Sequence, residues 1–309
     1  MDASKVTTPI QQNKKLLGFF AVASTIFAVV VVLGLLLTML GNFVIEGIPG
    51  LSWDFIIQAP RNNNQEGGIF PAIYGTTLLV LTMTMLGVPV GTITAIYLNE
   101  YANPNSFFSR LILFAVNSLA GVPSIVFGLF GVGFFIQFFG AGLDSIFNPS
   151  KVIWGQPAII WASATLAVLT LPVVIISVNE ALRSVPVSLR EASLALGATK
   201  FQTIWKIVLP NSLTGILTGS ILAIGRGAGE VAPIIFVGAV YSMPGLPNKL
   251  NDQFMHLGYH LFVLSTQSPN VEKTIPIQFA TTLVLLLLTF VLSLTAIIIR
   301  SRLTKQLQG

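Results

Sequence analysis

Residues Leu16–Ile45 read LLGFFAVASTIFAVVVVLGLLLTMLGNFVI, a run without one Asp, Glu, Lys or Arg. A helix rises about 1.5 Å per residue and needs about 20 residues to cross a hydrocarbon core of about 30 Å, so this run predicts a membrane-spanning helix. Five more stretches follow the pattern: Gly67–Asn99, Leu111–Leu143, Val152–Asn179, Ile207–Gly225 and Thr274–Ile299. The fifth crossing also carries Arg226 and Glu230. Charged residues make up only 9% of the chain and apolar ones 53%, whereas soluble domains are about 25% charged. The expectation is an all-α, polytopic membrane protein with six transmembrane helices and no room for a soluble domain. The longest polar stretches, 179–206 and 241–276, read as loops.

Six crossings place the N-terminal tail, the 99–110 loop, the 179–206 loop and the C-terminal tail on one side. That side holds Lys5, Lys14, Lys15, Arg110, Arg183, Arg190, Lys200, Lys206, Arg300, Arg302 and Lys305, against Arg61, Lys151, Lys249 and Lys273 on the other. The positive-inside rule then puts both termini in the cytoplasm. The net charge of +5 follows from this sidedness and calls for no nucleic acid. Lys14, Lys15 and the small Ala21-Val22-Ala23 imitate a signal peptide. The apolar run, however, far exceeds the usual core of about 7–15 residues, and an uncleaved first helix is expected. With no Cys, disulfides and thiolate metal sites are excluded. In the loop Glu46–Gly68, Trp53-Asp54-Phe55 reads as an amphipathic piece with Trp53 at the interface, followed by the turn-rich Arg61–Asn64. The pairs Gly215/Gly219 and Gly225/Gly229 predict close approach by another helix. The glycines around Arg226 follow no strand and make no nucleotide loop, and no Walker-type Gly-x-x-x-x-Gly-Lys-Ser/Thr occurs anywhere.

The loop between the fourth and fifth crossings, 180–210, is ordered by its own chemistry. Ser188 with Glu191 reads as a capping box for a helix Leu189–Leu196 that ends at Gly197. Thr199 with Gln202 reads as a second box, starting a helix Phe201–Leu209 ahead of Pro210. Two short helices at an angle are expected, and taken alone they fit an amphipathic elbow on the membrane surface. The spacing goes further. Glu191-Ala192-Ser193, three residues, Gly197, nine residues, then Ile207-x-Leu209-Pro210 resembles the E-A-A-x3-G-x9-I-x-L-P signature of the permease subunits of ABC importers. Ser193 replaces the second Ala and is also small. The resemblance implies the type I ABC importer permease fold, with this loop as the coupling helix seated in a cleft of a separate ATPase. Glu191 would cap that helix, Ala192 and Ser193 permit close docking, and Gly197 set the turn. ATP-driven closure would then rock the crossings.

Arg226 and Glu230 fall four residues apart on the fifth crossing. An Arg at mid-membrane costs about 2.5–3.5 kcal/mol or more, so it must face protein or water. It lies about 24 Å along the helix from Pro210, too deep to snorkel easily. Two readings stand: an ion pair fixing the contact with a partner, or a station on the path of an anion, since guanidinium matches phosphate with paired hydrogen bonds. Gly67–Thr76 resembles the start of the core domain of phosphate permeases. Gly229-Glu230-Val231-Ala232-Pro233-Ile234-Ile235-Phe236 is similar to the G-E-T-A-P-L-L-F stretch of the PstA-type family, with Val231 in place of Thr, and lacks the Met-Ala-Val of the PstC-type sister. The resemblance, spanning about 67–300, implies phosphate import by alternating access and favours Arg226 and Glu230 as path residues. It also implies a PstB-like ATPase dimer, a PstC-like sister permease and a PstS-like external phosphate-binding protein. No cofactor, metal or catalytic residue is expected, and lipid surrounds the chain.

The domain division is 1–66, comprising tail, first helix and external loop; 67–300, the permease domain; and 301–309, a cytoplasmic tail. An importer for another oxyanion or small solute is the neighbouring reading. A secondary transporter would show a second charged, broken segment and leaves the 191–210 signature unexplained. An intramembrane enzyme would need a nucleophile and base, which the external histidines and absent Cys do not supply. His256 and His260, at helical spacing from Asp252, cannot converge on a metal because the ends lie about 12 Å apart. They read as part of a surface helix touching the binding protein or membrane.

Overall fold

The computed structural model describes residues 9–62, 64, 66–147, 149–243, 245–268 and 271–308; Lys5 and Asn63 lie outside them. The first helix, α1 (Pro9–Gly47), leads through a tight turn to α2 (Trp53–Ile57), whose start is fixed by Ser52 Oγ accepting from the Phe55 amide at 3.1 Å. Phe55 is buried and Trp53 exposed, as an amphipathic interfacial piece requires. A two-residue hairpin, β1 (Pro60–Arg61) against β2 (Glu66–Gly67), closes the loop. Asn62 and Asn64 in its turn adopt φ of 46° and 63°, which Asn tolerates better than most residues.

The second crossing is α3 (Phe70–Ile96), extended by a wide turn over Tyr97–Tyr101. The third apolar run departs from expectation. It splits into α4 (Phe107–Ala120) and a separate span built from α5 (Ser124–Phe130), a wide-turned stretch Gly131–Gly140 and α6 (Ala141–Phe147). Pro123 has no amide hydrogen and disfavours a helical Val122, so the run breaks there. At 14 residues, α4 is about 21 Å long and too short to cross. Then come α7 (Ile159–Ser184), α8 (Val187–Ala195), α9 (Lys200–Thr203), α10 (Leu209–Gly229), α11 (Leu257–Gln267) and α12 (Val271–Gln308). Among the described residues six helical spans are long and apolar enough to cross a membrane.

At the centre, α7 packs on both α3 and α10. Small residues set the distance: a Cβ at Gly87 of α3 would stand 3.3 Å from the Ala167 Cβ, and Gly215 and Gly219 of α10 lie against Ala181 and Ser177. The other expected pair behaves differently. Gly229 faces open space and Gly225 only Ser293, 4.0 Å from a Cβ built there. Helix α1 packs along α12, with Phe43 and Phe279 rings 6.0 Å apart, and is otherwise exposed.

Beyond Gly229 the backbone is irregular, with Ile234, Val237, Ala239 and Phe254 buried. The Leu250 and Asp252 carbonyls accept from Ile160 and Ile159, the otherwise unpaired amides that open α7, and Ala239 bridges to Phe254. Asp252 is no part of a helix: its carboxylate accepts from the Asn248 and Lys249 amides, both at 2.9 Å. The expected surface helix at His256 and His260 is corrected by burial. His256 precedes α11 and His260 lies in it, and they are 0% and 1% exposed. Met255 and Leu257 beside them are packed under α3 and α12. The apolar neighbours, rather than the two polar rings, decide which way this segment faces.

Candidate functional site

Two places gather the sequence-predicted site residues: the elbow between the fourth and fifth crossings, and the end of α10. The elbow helix α8 begins earlier than expected. Pro186 is its N-cap, with φ of −55°, and no side chain caps it, so the Ser188–Glu191 box does not form. The proline ring pre-sets the backbone for helix entry one residue before Val187, which leaves Ser188 already inside the first turn. Glu191, Ala192 and Ala195 are exposed, and Ser193 is half-buried with its Oγ 2.9 Å from Thr203 Oγ1.

Gly197 ends the helix as expected. Its φ is +86°, its amide bonds the Leu194 carbonyl at 2.9 Å, and the Ala198 amide bonds the Ser193 carbonyl at 3.2 Å. This paired geometry satisfies two of the carbonyls a helix end leaves open, and the left-handed φ favours Gly. The Thr199–Gln202 capping box is present in both directions, at 3.2 Å and 2.9 Å. The helix it starts is not a separate piece, however. Wide turns over Ile204–Val208 carry α9 into α10, so Lys200–Gly229 is one span of 30 residues and the fifth crossing runs through Pro210. The widened turn lies over the carbonyls that an α-helical Pro210 ring would strike, which lets the proline stand inside a continuous helix.

At the far end of that span Arg226 sits in the last turn of α10, with its Nε 3.6 Å from Glu230 Oε1. Glu230 is not on the helix. It is the C-cap residue, extended at φ −77° and ψ 125°. Gly227 and Gly229 hold a helix weakly, and Pro233 forbids its continuation. The pair therefore forms across a helix end, where a cation also meets the negative pole of the helix dipole. Gly227 packs against Met83, in the middle of α3 about 20 Å from its Phe70 end, so the helix stops deep within the bundle. Asn211, Leu222, Gly225, Arg226 and Gly229 are exposed on one side of α10, while Ser212, Ile216, Gly219, Ala223 and Gly227 fill the buried side. The Arg226 side chain keeps 41% of its surface open and Glu230 21%. At 3.6 Å the two share charge without a hydrogen bond, leaving the guanidinium donors available.

Further residues join the elbow to the bundle without a local sequence signal. Arg190 pairs with Glu100 at 3.0 Å, and Asn99 Nδ2 donates to Asn179 Oδ1 at 2.9 Å. Only the polar character of each residue was legible; the contacts span 90 and 80 positions.

A bundle of six apolar spans, each long enough to cross a membrane, with an exposed elbow between the fourth and fifth, defines a multi-pass membrane protein. Residues 87–305 match the family described as "Binding-protein-dependent transport system inner membrane component", and the chain belongs to that family. It is 31% identical over 224 residues to the probable ABC transporter permease protein YqgI of Bacillus subtilis, covering 72% of this chain and 69% of that protein. It is 33% identical over 225 residues to the phosphate transport system permease protein PstA of Haemophilus influenzae, covering 72% of each. For phosphate transport system permease protein PstA 1 of Mycobacterium tuberculosis the identity is 38% over 192 residues, 62% of this chain and 58% of that protein, less than two thirds of its length. In fold the chain resembles the crystal structure of a bacterial alginate ABC transporter in complex with an alginate pentasaccharide-bound periplasmic protein. The TM-score is 0.66 at 17% identity, covering 95% of this chain and 96% of that one. The fold is that of type I ABC importer permeases.

Proposed function

We propose that this protein is the PstA-type permease subunit of an importer that carries inorganic phosphate into the cytoplasm, driven by a separate ATPase. The observation that carries the reading is Arg226: a guanidinium deep in the bundle, on the exposed side of α10, held by Glu230 at 3.6 Å yet 41% open. A desolvated dianion needs such a donor, and guanidinium offers a planar fork that fits phosphate oxygens. Glu230 would keep the cation in place between substrates and repel an anion that lingers. The PstA-named relatives support phosphate over other oxyanions.

In the same reading Glu191, Ala192, Ser193 and Gly197 form the surface that seats on the ATPase, and Pro210 lies inside the fifth crossing that follows it. The permease domain is 67–300, preceded by a first helix and loop over 1–66 and followed by a tail over 301–309. The partners are a PstB-like ATPase dimer, a PstC-like sister permease on the exposed side of α10, and a PstS-like external binding protein, with both termini cytoplasmic.

The competing reading is that Arg226 and Glu230 only fix the contact with the sister subunit, which their ion pair also supports. In that reading the sister subunit covers the pair, and replacing a pair so buried by apolar groups of like volume is often neutral, whereas breaking it typically costs about 3–5 kcal/mol. The test is radiolabelled phosphate uptake per inserted complex. Under the phosphate reading Arg226→Met with Glu230→Leu assembles but does not import, and Arg226→Lys is intermediate. Wild-type uptake by the double variant would show that the pair is structural.

A further inference from the structure

The elbow helix α8 buries none of its residues. Its position therefore depends on polar contacts with the crossings. Ser193 and Thr203 tie it to the start of the fifth crossing at 2.9 Å. Arg190 ties it to two others. Its Nη1 donates to the Val185 carbonyl at 2.8 Å, and its Nη2 to the Leu182 carbonyl at 2.6 Å. These carbonyls close the fourth crossing, where a helix has no further amides to offer and where a cation meets the negative end of the dipole. Nη2 also pairs with Glu100 Oε1 at 3.0 Å. Glu100 belongs to the wide turn ending the second crossing, and its side chain is only 9% exposed. One residue earlier, the Asn99–Asn179 bond at 2.9 Å holds the ends of the second and fourth crossings side by side.

We propose that Arg190 and Glu100 form the joint through which displacement of the elbow reaches the second and fourth crossings, while the Ser193–Thr203 contact carries it to the fifth. The proposal rests on the reading that the elbow docks on an ATPase. In an exposed two-and-a-half-turn helix with no fully buried side chain, and with Leu189 and Leu194 only about half covered, these polar contacts are the firmest link to the bundle. Charge-assisted bonds are about twice as strong as neutral ones, and a nearly enclosed Glu100 has little water to compete for it. Arg190 Nε is buried and has no acceptor among the described residues. The guanidinium thus keeps a spare donor, with which it can re-pair as the crossings shift. A joint needs that freedom, whereas a fully satisfied clamp would have none.

Glu100→Gln, Arg190→Lys and Arg190→Met are placed singly in the assembled importer in proteoliposomes, with inorganic phosphate and ATP as probes. Co-purification reports assembly, and a crosslink from Ala195→Cys to the ATPase reports docking. The expected result is normal assembly and crosslinking, ATP hydrolysis within about twofold of wild type, and phosphate moved per ATP about tenfold lower in Arg190→Met. Glu100→Gln and Arg190→Lys, which keep hydrogen bonding or charge, should fall between. If Arg190→Met does not assemble, the near-isosteric Glu100→Gln decides. An unchanged ratio of phosphate to ATP overturns the joint and leaves docking intact. Failure of Ala195→Cys to crosslink in the otherwise unaltered importer overturns the docking reading, and the joint with it.

Discussion

Acidification is expected to loosen the segment that carries His256 and His260. Both rings are enclosed, at 0% and 1% exposure, and burial pushes them down from 6.5 to about 3 and about 4. The folded protein therefore holds both neutral. Because the folded values lie below the unfolded one, their contribution to stability is complete above about pH 6.5 and is lost as the pH falls toward the folded values. At about pH 5.5 the unfolded rings would bind a proton that the folded ones refuse. One unit of separation corresponds to somewhat over 1 kcal/mol, so each ring costs on the order of 1 kcal/mol relative to about pH 7.5, and the two together about 2–3 kcal/mol. Amide hydrogen exchange along α11, corrected for the intrinsic pH dependence of exchange, reads this opening free energy directly. Neither ring nitrogen of His256 has a hydrogen-bond partner among the described residues. Replacing it with Leu thus removes a titrating group without breaking a bond, and should abolish about half of the acid sensitivity. At about pH 5.5 His256→Leu should exchange more slowly than wild type. The same pH dependence in both proteins would refute the reasoning.

Gly197→Val should destabilise the elbow by about 1–2 kcal/mol, the cost of a left-handed L-residue. A Cβ there meets nothing within 4 Å, so the whole effect is conformational. Proteolysis near 196–198 should quicken and uptake should fall, whereas Gly197→Asn should be milder; equal behaviour of Val and Gly would overturn the turn assignment. For topology, a reporter active only outside the cytoplasm should be silent at the C-terminus and active after Asn62, and the reverse would remove the elbow from the ATPase side.

Much of the molecule is written in local chemistry. Six apolar runs, each long enough to cross, place the crossings, because in lipid the backbone must pair within its own helix. Gly197 is legible as a helix stop and Thr199–Gln202 as a start because both act within four residues, and the structure has both. The break at Pro123 was also present in the residues, but an unbroken apolar run concealed it: hydropathy counts side chains, whereas the break comes from a missing amide hydrogen. The Ser188–Glu191 box failed for a similar reason, since Pro186 had already set the helix start.

What the chain determines alone is therefore whatever depends on neighbours a turn away: membrane residence, the number of crossings, the elbow and its terminator, and a charged pair at the end of the fifth crossing. Tertiary structure decided the rest. Packing buried His256 and His260, although they read as surface polar residues, because Met255 and Leu257 beside them belong to the core. It left Arg226 half-open by ending α10 in mid-bundle and turning Glu230 off the helix. It also brought Arg190 onto Glu100, 90 residues away. A charge carries no record of its distant partner, and only the close packing of the second, fourth and fifth crossings brings those partners within reach.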